Sequence, residues 1–97
     1  MADIFVSNKR QSKAEIRQWS VDFTDDLATG VTVSSATATH IPPSGTAATP
    51  VVGSISGAVV PVQLGPLSVT GNHALQITAT YSNGEKSEAM IKFKVDY

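Results

Sequence analysis

The 97-residue sequence contains no cysteine, which removes disulfides, thiolate metal sites and cysteine nucleophiles together. Leucine, the usual core residue of helices, occurs only four times, whereas Val, Ile and Thr together number 27. That usage favours pleated, half-buried surfaces over helices. Aromatic residues make up 6% of the chain and charged residues 15%, the latter against about 25% in typical soluble domains. A net charge of −1 supplies no positive field to neutralise phosphates, so nucleic acid is not expected as a partner. The longest apolar-leaning run, residues 51–64, is broken by glycines, serines and Pro61, and no membrane-spanning helix is expected. Lys9 and Arg10 follow a short apolar patch instead of preceding a sustained one. No secretory signal is therefore expected, and synthesis and folding in the cytoplasm are.

The placement of the charges is more informative than their number. Every Lys, Arg, Asp and Glu lies in residues 1–26 or 85–97, and the chain from Leu27 to Gly84 carries no formal charge. The length suits one domain with about 5,300 Å² of exposed surface. Residues 1–15 read as an N-terminal strand or arm, and 16–97 as the body of that single domain.

Period-two alternation predicts several strands. Ile4 and Val6 mark a first; Trp19, Val21 and Phe23 a second; Val31, Val33, Ser35 and Thr37 a third; Val51, Val52 and Ile55 a fourth. Val60, Val62 and Leu64 mark a fifth, whose Pro61 suits a sheet edge or strand start. Leu75, Ile77, Ala79 and Tyr81 face one way in a sixth, and Ala89, Ile91, Phe93, Val95 and Tyr97 in a seventh. Opposed residues of a hairpin share a face, which tests the turn between these last two. A two-residue Asn83-Gly84 turn would oppose Leu75 to Lys92. A three-residue Ser82-Asn83-Gly84 loop, with Gly84 left-handed, opposes Leu75 to Ile91 and Ile77 to Ala89, and is the predicted form.

Thr24 to Thr29 has the composition of one short helical turn with Leu27 directed inward, stopped by Gly30. Residues 41–50, with three prolines and a glycine, read as loop. The expected fold is thus all-β: an antiparallel immunoglobulin-like sandwich of about six to seven strands, with one helical turn near residues 24–29. Its core is expected to contain Trp19, Val21, Phe23, Leu27, Leu75, Ile77, Ile91, Phe93 and Val95.

Residues with chemical potential each have an ordinary structural reading. Asp22, Asp25 and Asp26 form the one acidic cluster, but lack the spacing of a calcium-binding loop and suit a helix start. His40 and His73 are the only histidines, each in a polar, loop-like context and without metal-ligand spacing. The glycines form no phosphate-cradling motif. Lys9, Arg10, Lys13 and Arg17 read as a solvated or docking arm. No catalytic residue, metal or cofactor is expected. Tyr81 and Tyr97, at strand ends, are the candidates for partly exposed aromatic contacts.

The order Trp19-Ser20-Val21-Asp22-Phe23-Thr24-Asp25-Asp26-Leu27, followed by Gly30 and Val31-Thr32-Val33-Ser34-Ser35-Ala36, resembles a pattern of small tailed-phage and prophage virion proteins. The closing Tyr81-Ser82-Asn83-Gly84-Glu85-Lys86-Ser87, then Ile91, Phe93 and Val95, is similar to their final hairpin. The resemblance covers about residues 16–96. Segment 41–57 does not align with the pattern, and Lys92 and Lys94 stand where members often carry arginines. What the resemblance implies is an immunoglobulin-like structural protein, some members being fibre-to-tail adaptors, with no catalytic residues to carry over.

The leading expectation is a non-enzymatic structural or assembly domain of a phage or prophage particle, at the neck, tail or fibre attachment. Its partners would be other virion proteins or copies of itself in a symmetric ring. The alternatives are an adhesion or glycan-binding module, for which exposed aromatics are scarce, and a small metal-dependent hydrolase. Charged side chains normally protect sheet edges, so the neutral stretch points to an interface within residues 31–64, with Thr32 and Gln63 on its solvent face.

Overall fold

The structure, a computed structural model, describes residues 3–96, with Asp3–Arg10 as backbone alone. Seven strands follow one another: β1 (Asp3–Arg10), β2 (Arg17–Asp22), β3 (Val33–Ile41), β4 (Val51–Val52), β5 (Val59–Leu64), β6 (Gly71–Tyr81) and β7 (Lys86–Val95). One 3-10 turn, Thr24–Asp26, lies between β2 and β3. The strands form two sheets, β1-β7-β6-β3 and β2-β5-β4. This is the immunoglobulin-like arrangement, with the first strand placed beside the last. All pairings are antiparallel except β1 with β7, which run parallel. The surface of 5498 Å² is close to the expectation from mass.

The facing sides of the two sheets make the core. β2 and β5 contribute Trp19, Val21, Val60, Val62 and Leu64; β6 and β7 contribute Leu75, Ile77, Ala79, Ala89, Ile91, Phe93 and Val95. Phe23 is fully buried just beyond β2, and Leu27 packs half-buried against the same cluster. The Trp19 and Phe93 rings meet across the sandwich with centroids 5.5 Å apart.

The β6–β7 hairpin has the three-residue loop. Leu75 opposes Ile91 and Ile77 opposes Ala89. Gly84 N–H donates to Tyr81 C=O at 3.0 Å, and Tyr81 N–H to Glu85 C=O at 2.8 Å. Gly84 adopts φ +91°, a conformation other residues rarely enter.

Three local expectations are corrected. Ser35 and Thr37 do not continue the inward face of Val33, because a register shift between Val33 and Ser35 inserts one residue and reverses the alternation. Ala36, Ala38 and His40 therefore turn inward, and Ser35 and Thr37 are exposed. Pro61 is not at an edge: β5 is the central strand of its sheet. It is accommodated because Gly53 N–H donates to Pro61 C=O at 2.9 Å, which places the proline nitrogen on the β4 side, where β4 has already ended at Val52. Finally, His40 and His73 are not loop residues; they are buried on β3 and β6.

Candidate functional site

The uncharged stretch builds one flank of the sandwich. It supplies β3, β4, β5 and β6, and the edge strand of each sheet on this flank, β3 and β4, approach each other. The opposite edges, β1 and β2, belong to the charged N-terminal segment. Alternation along β3 leaves Ser35, Thr37, Thr39 and Ile41 on the outside, and Ile41 (42% exposed) and Val51 (59%) add apolar surface to the flank.

A histidine pair fixes the loop that closes this flank. Ala48 N–H donates to His40 Nδ1 at 2.8 Å. A backbone N–H only donates, so Nδ1 is the bare nitrogen and His40 carries its proton on Nε2. His40 Nε2 then donates to His73 Nδ1 at 2.8 Å, and His73 Nε2 donates to Val69 C=O at 2.9 Å. Each ring nitrogen is satisfied, and both ends of the chain of bonds demand the same tautomers. The two ring planes lie within 6° of each other with centroids 5.1 Å apart, edge to edge as their hydrogen bond requires, and His73 stacks on Phe93 at 5.4 Å. Burial, reinforced by any charge on His73, holds the His40 pKa below its ordinary value. The pair is thereby a neutral structural relay that ties residues 42–50 to the core. Beside it lies an open cavity of about 220 Å³, lined by His40, Thr46, Ala47, Ala48, Pro66, Leu67 and Ser68. It has no charged lining residue to orient a polar ligand.

At the charged end, Gln11 is a second buried polar centre. Its Oε1 accepts from Trp19 Nε1 at 3.2 Å, and its Nε2 donates to Leu64 C=O at 2.9 Å and Glu15 C=O at 3.0 Å. Its own N–H donates to Lys94 C=O at 3.1 Å. One residue thus links both sheets, its side chain bonding to β2 and β5 and its backbone to β7.

Two members of the acidic cluster are engaged in hydrogen bonds, one local and one long-range. Asp22 Oδ1 accepts from the Thr24 hydroxyl and from Thr24 N–H at 2.9 Å, which lowers its pKa. Asp26 Oδ2 accepts from the Tyr81 hydroxyl at 2.6 Å. Among the described residues no group of three His, Cys, Asp or Glu side chains converges in a metal-binding arrangement.

The chain matches no family model and no curated protein.

The sequence-predicted contact residues do not form one patch. Gln63 is exposed on the outer face of β5, between Gln18 of β2 and Val51 of β4. Thr32 is exposed just before β3, where its C=O accepts from Ser82 N–H at 2.7 Å, beside the β6–β7 turn. Tyr81 is corrected: it is 3% exposed, with its ring edge-on to Phe23 at a centroid distance of 6.2 Å. The alternation of Leu75, Ile77, Ala79 and Tyr81 already implied that burial, and the same step taken backwards from Leu75 reaches His73. Tyr97 lies outside the described residues. Gln11 had no sequence signal, since its partners Trp19 and Leu64 converge on it only after folding.

Proposed function

We propose that this chain is a non-enzymatic structural domain of a phage or prophage particle, acting through protein–protein contacts made on its uncharged flank. The observation that carries the reading is the segregation of charge: β3 and β4, the adjacent edges of the two sheets, contain no charged residue. Sheet edges of free monomers are ordinarily protected by lysines, inward charges or covering elements. An edge without such protection suits a subunit whose surface is covered in an assembly. The resemblance of residues 19–36 and 81–95 to small virion proteins supplies the particle context. Synthesis in the bacterial cytoplasm and attachment at the neck, tail or fibre belong to the same proposal.

Burial of Tyr81 weighs against the glycan-binding alternative, because it removes one of the two tyrosines that reading required.

Proteomics of purified particles from an induced host tests the proposal. The chain is expected among the virion proteins, and its absence there while the other structural proteins are detected would overturn the reading. Thr32→Lys and Gln63→Lys, both at exposed positions, are expected to leave the unfolding free energy within about 0.5 kcal/mol of the parent and to lower incorporation into particles.

A further inference from the structure

Residues 42–50 run from the end of β3 to the start of β4, and so from one sheet to the other across the open mouth of the sandwich. Pro42, Pro43 and Pro50 stand at the two ends of this strap, and Gly45 between them sits at φ +75° with open space around it. Ala48 packs half-buried against the core, while residues 43–47 are exposed. Among the described residues, a single hydrogen bond ties the strap to the rest of the molecule, the one from Ala48 N–H to His40 Nδ1 at 2.8 Å.

That bond is also the one an added proton removes. His40 Nε2–H is committed to His73 Nδ1, and His73 Nε2–H to Val69 C=O, which leaves two nitrogens without protons, Nδ1 of each ring. A proton at His73 Nδ1 would oppose His40 Nε2–H between two buried rings, one of them stacked on Phe93. A proton at His40 Nδ1 opposes Ala48 N–H, and the strap is free to move away. Nδ1–H then meets water while the other two bonds of the relay persist.

No carboxylate compensates that charge. His73 is the ionisable group that meets His40 from β6, and none of Pro66, Leu67, Ser68 or strap residues 46–48 ionises. On β7, Lys92 and Lys94 lie on the face opposite Phe93; Asp96, just beyond, is exposed and pairs with Lys94 at 3.9 Å. Next to Leu67, Lys13 is exposed and the Glu15 carboxylate accepts from Ser12 N–H. Burial, then His73, accordingly lowers the His40 pKa while the strap is closed.

We infer that residues 42–50 are an acid-released strap: a proton taken up at His40 Nδ1 frees Ala48 and opens the mouth between the sheets while the sandwich stays folded. Opening uncovers His40 and Leu67, which line the cavity of about 220 Å³ beside Ala48. They extend the apolar surface that Ile41 and Val51 expose at the two ends of the strap. The latch is a property of the folded chain alone, whatever surface the uncharged flank meets. Its cost in the closed state is low because one bond and one small side chain hold it, whereas the β6–β7 pairing is continuous from Gly71 to Thr80.

Residue-resolved hydrogen exchange of the full chain tests this, with each rate taken relative to a free amide so that the pH dependence of exchange itself cancels. Protection of the Ala48 amide is expected to fall at least about tenfold between about pH 7 and about pH 5, to nearly that of a free amide. Ile77 and Ile91, bonded between β6 and β7, are expected to exchange at least about a hundredfold more slowly than Ala48 throughout. Ala48 protection that does not change with pH, or that is lost in step with Ile77 and Ile91, overturns the strap. His40→Gln removes the titrating group, and Ala48 protection in that variant is expected to be independent of pH over the same range; the parent's fall reproduced in the variant overturns His40 as the latch. If the variant does not fold, the nitrogen NMR shifts of the parent's two rings decide. Protonation at His40 Nδ1 in step with the loss of Ala48 protection supports the latch, and protonation at His73 alone overturns it.

Discussion

His40 and His73, 33 positions apart in the chain, are joined by a 2.8 Å hydrogen bond between nearly coplanar rings, with Ala48 N–H at one end of the relay and Val69 C=O at the other. Protonating His40 at Nδ1 would set two donors against each other at Ala48. The folded state therefore holds His40 neutral, with its pKa below the ordinary 6.5.

Acid should accordingly weaken the fold before any carboxylate titrates. The unfolded chain takes up a proton at His40 near pH 6.5 while the folded chain does so only at lower pH. Stability from this group is full above about pH 6.5 and is lost as pH falls from there through the folded-state value. Denaturant midpoints at pH 8, 7, 6 and 5 should decline below pH 7. In His40→Gln the midpoint should be lower at pH 8 but the slope between pH 7 and 5.5 shallower. An equal slope in the variant would remove His40 as the cause.

Gln11 and Trp19 are coupled through the indole N–H. Gln11→Ala leaves that donor and the carbonyls of Leu64 and Glu15 without their partner, at a cost of about 1–3 kcal/mol. Trp19→Ala opens a cavity against Phe93 and costs about 3–5 kcal/mol. The double variant should cost less than the sum of the two, by chemical denaturation, because the indole bond is lost once in each.

Gly65 has no room for a side chain. An added Cβ would lie 2.1 Å from Glu15 C=O and 2.9 Å from Gln11 Nε2, and the residue sits at φ +130°. Gly84, at φ +91°, has open space around it. Gly65→Ala should therefore destabilise well beyond the roughly 1–3 kcal/mol of backbone strain that bounds Gly84→Ala. Comparable midpoints for the two variants would contradict the close approach.

The Tyr81 phenol has its pKa pushed up to about 12, by burial first and then by its bond to Asp26. Because the unfolded chain ionises near 10, this group stabilises the fold below that pH and ceases to do so as pH rises through about 12. An ultraviolet titration in a Tyr97→Phe background should show phenolate appearing only near pH 12 or on unfolding. Tyr81→Phe, which removes a hydrogen bond to a carboxylate, should cost about 1.5–3 kcal/mol.

The strands were legible where alternation was uninterrupted. In β6 and β7 the need to keep lysines off the core face was enough to select the three-residue turn over the Asn-Gly alternative. In β3 the same rule failed after Val33, because nothing in Ser34-Ser35 announces an extra residue, and the bulge exchanged the faces of all that follows. That one irregularity is what brings His40 to His73, so the histidine relay was illegible for the same reason. Pro61 misled because a proline is excluded from a paired N–H position and not from a central strand as such.

The sequence by itself determined an all-β chain, most of its core, and a neutral middle bounded by charged ends. These follow from side-chain volume, branching and period, which act locally. Only the tertiary structure decided that β3 and β4 fall on one flank, that β5 is central, that β1 runs parallel to β7, and that Gln11 and the two histidines are buried. Strand order and long-range polar pairing depend on which sheet each strand joins, and neither propensity nor period two carries that information.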